Sequence, residues 1–279
     1  MMKNQIIKFS RNDTKKFFIT LNKRVNDHFK KLKKSKTGNW KLYSKTLIMF
    51  SFFLTPYFLI LFTNLNIWAK ISLCVVMGIG MAGVGMNVMH DGNHGSFSKN
   101  KWINKLMGAS IYILAGNVHN WKVQHNMLHH TYTNIHGHDE DLEAGRIIRF
   151  SKHSEWSAYH RFQHIYSVFL YGLLTINWAI TTDIKQTRRY LKRKLTYRKK
   201  LQPIRQWFIL FFTKLIYFVL WIVLPIIFLN LEWWKVLLGF FIMHYTAGLI
   251  LSLVFQLAHI IEEAQMPITD KNTGTMKNT

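Results

Sequence analysis

The sequence predicts an all-α membrane protein, with four transmembrane helices and cytoplasmic-side interfacial helices carrying a histidine-box metal site. Three observations carry that expectation. The apolar residues, 49% of the 279, are gathered in long blocks joined by strongly basic connections. The formal charge is +24, and because the basic residues flank the apolar blocks the charge is a topology signal before it is a partner signal. Histidines recur at helical spacing in two clusters, HDGNH at 90 to 94 and HNMLHH at 125 to 130. The flanking placement of the basic residues also excludes nucleic-acid binding as the use of the charge.

Residues 1–46 read as a basic cytoplasmic arm, with 14 Lys or Arg against Asp13 and Asp27, a net of +12. Its Phe9, Phe17, Phe18 and Phe29 suit either a short amphipathic helix on anionic lipid or a solvated basic tail, and both readings stay open. No signal peptide is visible in the opening MMKNQIIKFSRND. The single cysteine, Cys74, lies inside an apolar run, reads as a packing residue and permits no intrachain disulfide, which fits a reducing compartment.

The membrane domain is expected over 47–263, with spans at about 47–64, 67–89, 207–230 and 234–258, followed by a short polar tail at 264–279. Pro56 is tolerable inside the first span because neighbouring helices can satisfy the freed carbonyl. The second span carries Gly78, Gly80, Gly83 and Gly85, which mark either close helix packing or room for an apolar substrate. Between the second and third spans, the apolar pieces Leu106 to Gly116 and Ile165 to Thr181 are short. They are expected to be interfacial or half-buried on the cytoplasmic side. A true span at the second piece would put the ten Lys or Arg of Lys185 to Arg205 on the wrong side. The connection NLEWW places Trp233 and Trp234 at an interface belt. Four spans then leave both termini, residues 90–206 and the metal site on the cytoplasmic face.

Imidazoles four apart on a helix share a face and can reach one metal, while neighbours such as His129 and His130 diverge by about 100° and can serve two. The predicted ligands of the two clusters are therefore His90, His94, His125, His129 and His130. Such a nitrogen-rich set suits iron, zinc, copper or nickel rather than magnesium or calcium. No HExxH, CxxC or Glu-x-x-His pattern offers a competing template. His259 closes the fourth span on the same face as His90 and is expected to ligate too. His244 lies deeper in that span with no role assigned. The loop HGHDEDLEAGR at 136–146 holds four of the 13 acidic residues. It reads as a solvated acidic loop, as carboxylates accepting hydrogen bonds from ligating imidazoles, or as a contact for a basic partner. His153, His160 and His164 lack paired spacing and are expected on polar faces.

In MHDGNHGSF (89–97), NWKVQHNMLHHTYTN (120–134), GHDEDLEAGRIIRFS (137–151) and FQLAHIIEE (255–263), the chain resembles the membrane fatty acid desaturases. The likeness is greatest to bacterial members of the linoleoyl-CoA or front-end type. The resemblance implies a di-iron centre that uses O2 and two external electrons to introduce a double bond into an acyl chain, CoA- or lipid-linked. It implies His90 and His94 as the first box, His125, His129 and His130 as the second, and His259 as the extra ligand ending the last span. Acyl-CoA members carry an asparagine four residues before that histidine, where this chain has Phe255. No fused cytochrome b5 domain is present, so a separate ferredoxin or cytochrome b5 type donor is expected, with Lys185 to Arg205 as its dock, as a site for acyl-CoA phosphates, or simply as a topology-setting loop. The family's third box, Gln-x-x-His-His, has no counterpart after His259. The resemblance thus implies a second iron short of ligands in these 279 residues, and little or no activity unless that segment is restored. A membrane hydroxylase, alkane oxygenase or ketolase sharing the boxes, or an inactive remnant, are the alternative readings.

Overall fold

The computed structural model describes residues 7–9, 14–142, 145–196, 202–269 and 275–276. Four helices are long and apolar enough to cross a membrane: Trp40–Phe62, Ile67–His94, Pro203–Phe228 and Trp233–His259. All four expected spans are present, with two shifts. The first helix starts at Trp40, ahead of the apolar run, because the Asn39 side chain caps it by accepting from the Lys41 amide at 3.0 Å. The second continues past Met89 and carries the whole first box within it. Its start is fixed in the same way, by Asn66 accepting from the amide of Ala69.

The glycines of the second span settle between the two readings left open. A Cβ on Gly80 would lie 2.4 Å from the backbone nitrogen of Phe53, and one on Gly78 would lie 2.6 Å from the Met243 carbonyl oxygen. These positions let the first and fourth spans approach backbone to backbone, as expected where lipid supplies no hydrophobic drive between helices. Gly85 differs, since its nearest neighbours, Leu114 and Leu251, would be 3.7 Å from an added Cβ.

The third span turns π-helical over Val219–Val223, just before Pro225. In the i→i+5 pattern the partner of the Leu220 carbonyl would be the amide of residue 225, which proline lacks. The hydroxyl of Tyr57 donates to that carbonyl instead, and so ties the first span to the third.

Of the two shorter pieces, the first forms a helix at Lys101–Ala109 and a 3-10 turn at Ser110–Leu114. The second is different from a helix resting at an interface. Segments Ala158–Tyr171 and Leu174–Lys192 meet at a 65° bend. At the bend, Gly172 packs on the Tyr245 ring, and the Thr175 hydroxyl donates to the His244 carbonyl at 2.8 Å. Residue 244 is on the order of 20 Å from either end of its helix at 1.5 Å per residue. Both outer ends return to the histidine end of the bundle, where Gln163 pairs with Arg149 and Tyr190 with Glu140. The pair therefore dips to mid-bundle and comes back. That leaves the four-span count intact, with the piece seated deeper than the sequence suggests.

His244 acquires a role here. Its Nδ1 lies 2.9 Å from the Thr175 hydroxyl, and its Nε2 faces the hydroxyl of buried Tyr217. One tautomer satisfies all three contacts. Thr175 donates to the carbonyl and accepts from Nδ1–H, while Tyr217 donates to Nε2. The imidazole pins the hairpin's tip between the third and fourth spans.

The glycine contacts can be tested by thermal unfolding of the purified protein in detergent. Gly80→Ala is expected to destabilise by at least ~1–3 kcal/mol through overpacking against the Phe53 backbone. Gly85→Ala should be nearly silent, and equal effects at the two sites would contradict the packing described.

Candidate metal centre

The site begins with an irregularity in two helices. The second span becomes π-helical over Val84–Met89, and the segment bearing the second box is π-helical over Lys122–His129. Each π turn ends on a box histidine: the amide of His90 donates to Gly85, and that of His130 to His125. Such turns are rare and often found at functional sites. Here the i→i+5 turn sets His130 below His125, with ring centroids 4.8 Å apart.

The intervening residues hold the boxes together. A Cβ on Gly92 would lie 2.5 Å from the Gly108 amide, so HDGNH needs that glycine to dock on the following helix. Asn93 donates to the Gly108 carbonyl at 3.0 Å, and Asn126 donates to the Asn93 carbonyl at 3.2 Å. That last bond links the second box to the first.

All six predicted ligands meet at this end of the bundle. His90, His94 and His125 bring nitrogens within 4.8 Å of one another, and the His130 ring lies 4.9 Å from that of His94. On the other side the His129 and His259 rings are 4.6 Å apart. His129 and His130 thus diverge as expected, His130 toward the first box and His129 toward His259. His153 stays apart, beside His136, while the His160 Nδ1 accepts from the Ser157 amide.

Carboxylates decide which nitrogen is free. His129 Nδ1 is 2.9 Å from Asp139, His125 Nδ1 is 3.2 Å from Asp141, and His90 Nδ1 is 3.2 Å from Asp91. An ionised carboxylate only accepts, so the ring proton sits on Nδ1 and the Nε2 lone pair points away, ready for a metal. His125, His129 and Asp141 also come close enough to suggest a ligand trio, but Asp141 approaches both rings on their Nδ1 sides. It therefore orients imidazoles rather than sharing their metal.

The donor set fits a metal on two observations. Buried His125 Nε2 has no partner among the described residues. His90 and His94 set Nε2 against Nε2 at 3.2 Å, where two lone pairs repel unless a cation or proton lies between them.

Burial disfavours a charged His129, yet its bond to Asp139 and the charges of Asp141 and Asp139 outweigh this and raise its pKa. Burial would raise the pKa of Asp141, but the hydrogen bond from His125, the charges of His129 and His125, and a bond from Gln124 hold it low. Burial, and after it the neighbouring imidazoles, lower the pKa of His130. A neutral His130 is what metal binding requires.

The solvated-loop reading of 136–146 does not survive at Asp139, Glu140 and Asp141. Asp139 is 1% exposed and also accepts from the amides of Asn134 and Asp141. Glu140 takes Arg189 at 2.5 Å, the Tyr190 hydroxyl and Arg193 at 3.4 Å, so two guanidinium groups of the 185–205 block are already engaged within the chain. Residues 143–144 and 197–201 lie outside the described residues.

The second box is buttressed from behind. Asn120 donates to the Asp183 carbonyl and carboxylate and to Thr187, and Asp183 pairs with Lys214 of the third span at 2.9 Å. Trp121 was not singled out from the sequence, yet its ring stacks on His125 at 4.5 Å and borders His90 and His94. Its position four before His125 was the available signal. Phe255 lies beside the His129 and His259 pair, 5.9 Å and 4.6 Å from their rings.

The sequence profile of the fatty acid desaturase family matches residues 66–278. An sn-1 linoleoyl-lipid 6-desaturase of Arthrospira platensis is 34% identical over 248 residues, covering 88% of this chain and 66% of that protein. A protein of the same name from a Synechocystis species is 28% identical, covering 99% and 76%. An acyl-lipid (8-3)-desaturase of Physcomitrium patens is 26% identical, covering 95% and 55%, so the chain spans about half to three quarters of these relatives. No solved structure matches the chain.

The orienting carboxylates give a test that needs no turnover. Asp139→Asn keeps the shape but removes the charge that fixes His129, and roughly 10- to 100-fold weaker binding of Co(II) is expected by spectroscopic titration. His153→Ala should bind as the parent does.

Proposed function

Because the chain belongs to the fatty acid desaturase family, we propose that it introduces a double bond into a fatty acyl chain, using O2 and two electrons from a separate carrier, at two irons held by histidine nitrogens. The observation that carries this reading is the convergence of box nitrogens at one end of an apolar bundle, each second-box Nδ1 fixed by a carboxylate or directed by a π turn. His90, His94, His125 and His130 would hold one iron, with His129 and His259 facing the other. Among the described residues the second set is the thinner. Iron, when bound, would let O2 and the two supplied electrons act as the oxidant of an unactivated methylene, which redox-inactive zinc would not.

The rest falls to the chain. Neutral imidazoles bring no negative charge to the metals, while Asp139 and Asp141 keep each Nε2 aimed. Trp121 packs on His125 and Phe255 beside His129 and His259, which gives those imidazoles an apolar flank. Gly85, one turn before His90, is packed at ordinary contact distance, with Leu114 and Leu251 3.7 Å from where its Cβ would lie, so the wall nearest the first box is apolar. The relatives above are named for acyl chains on lipids, which favours a lipid-linked substrate over acyl-CoA. A ferredoxin or cytochrome b5 type carrier fits the basic face beside the boxes.

Fatty-acid profiling of a host expressing the protein with a Gln-x-x-His-His segment restored after residue 279 tests this reading. A new double bond is expected, abolished by His129→Ala or His130→Ala with the protein still in the membrane, and unaffected by His153→Ala. Hydroxylated chains with no new double bond would instead establish the hydroxylase reading.

Sidedness follows from charge. The arm and the 185–205 block keep to the cytoplasm if the histidine end faces it, with Asn64 to Asn66 and Asn230 to Glu232 outside. In a Cys74→Ser background, an impermeant thiol reagent should label introduced cysteines at 65 and 231 from outside, and those at 137 and 194 only after permeabilisation. Labelling of 194 in intact cells would turn the bent pair into a crossing and break the four-span topology.

A further inference from the structure

The reaction makes no use of the helix Thr14–Lys31, although it is the most exposed long element described. Almost every described side chain along it is open to the surroundings. At about 100° per residue, Phe17, Leu21, Val25 and His28 fall on one stripe, with Phe18 and Phe29 along its edge. The exposures of Phe17 and Phe18 are 66% and 58%, and those of Leu21 and Val25 are 44% and 42%. Lys16, Lys23, Asp27 and Lys30 occupy the opposite face, Arg24 and Lys31 flank the stripe, and Ile19 stands off it. No hydrogen bond or ring contact described joins the stripe to the rest of the molecule. Such a surface does not stand uncovered in water.

Its surroundings name the cover. The helix is joined by a short connection to the first span, and that connection is fastened: the amide of Gly38 donates to Ser96, in the turn directly after the first histidine box. A Cβ on Gly38 would lie 2.7 Å from the Phe97 carbonyl oxygen, so this approach is close. The helix is thereby held near the membrane surface at the histidine end. It carries six Lys or Arg against Asp27, a net of +5, and Lys33, Lys34 and Lys36 follow. That charge opposes pairing with a second copy of the same helix, and it complements anionic headgroups.

We propose that the helix Thr14–Lys31 lies in the plane of the membrane surface, with Phe17, Leu21 and Val25 in the acyl region and its lysines on anionic lipid headgroups. The inference is independent of the reaction proposed above. It turns a basic arm into a sensor of the charge of the lipid around the histidine end.

The test uses the full chain in a Cys74→Ser background, spin-labelled singly at Leu21→Cys, Val25→Cys, Lys23→Cys or Lys30→Cys. The protein is reconstituted in bilayers of phosphatidylcholine alone or with phosphatidylglycerol. In the anionic bilayer, positions 21 and 25 should be relaxed by oxygen and shielded from a water-soluble nickel chelate, while 23 and 30 show the reverse. In phosphatidylcholine the contrast should shrink several-fold. Equal nickel access at all four positions in both bilayers would mean a solvated helix and overturn the proposal. Shielding of 21 and 25 from both reagents would mean a protein contact, and an undiminished contrast in phosphatidylcholine would remove the role of the charge; either also overturns it.

Discussion

Everything at the histidine end depends on one electrostatic constraint: several imidazole lone pairs must face one another at close range. Such an arrangement is unfavourable for the protein alone, since each Nε2 would gain by turning to water or to a donor. The proton on the opposite nitrogen prevents the turn. Asp139 and Asp141 hold the Nδ1–H of His129 and His125. They are themselves held, Asp139 by two backbone amides and Asp141 by Gln124. Glu140, between them, is latched to Arg189, Tyr190 and Arg193. The imidazole geometry is thus set by a loop, and the loop is set by the helix Asp183–Lys192 that follows the re-entrant bend.

That explains why costly polar groups sit inside an apolar bundle. In lipid, apolar side chains give helices little reason to prefer one partner, so position has to come from close packing and polar ties. Lys214 and Asp183 form one such tie and His244, Thr175 and Tyr217 another. A buried ion pair is weak grounds for stability, but breaking one by removing a partner is costly. Both ties end on the re-entrant hairpin. They fix its depth, and through Asp183 and Asn120 they fix the approach of the second box.

Much of this was legible in the sequence, for reasons that can be named. Length and apolarity are enough to find spans, and spacing is enough to find imidazoles that share a face. The π turns were invisible because an i→i+5 turn leaves almost the same pattern of apolar residues as an α turn. The length of Ile165 to Thr181 fits an interfacial or a half-buried helix equally and says nothing of a bend at Gly172. Asp139 and Asp141 could not be told from a solvated loop, since their partners lie 10 and 16 residues away. Trp121 and His244 needed neighbours from other segments before their roles could be read.

The distribution of space in the bundle carries the last step. Gly78 and Gly80 close the second span against its neighbours, so no apolar channel runs along it at that level. Below them, at the end remote from the histidines, an apolar cavity of about 140 Å³ opens among Tyr57, Cys74, Met77, Trp221 and Met243. Above them, Gly85 is free of such contact, and the first box begins one turn later. The tight glycines therefore part that cavity from the imidazole end of the bundle. None of the six histidines lines that cavity, so a substrate of the proposed reaction would have to reach them from their own end of the bundle.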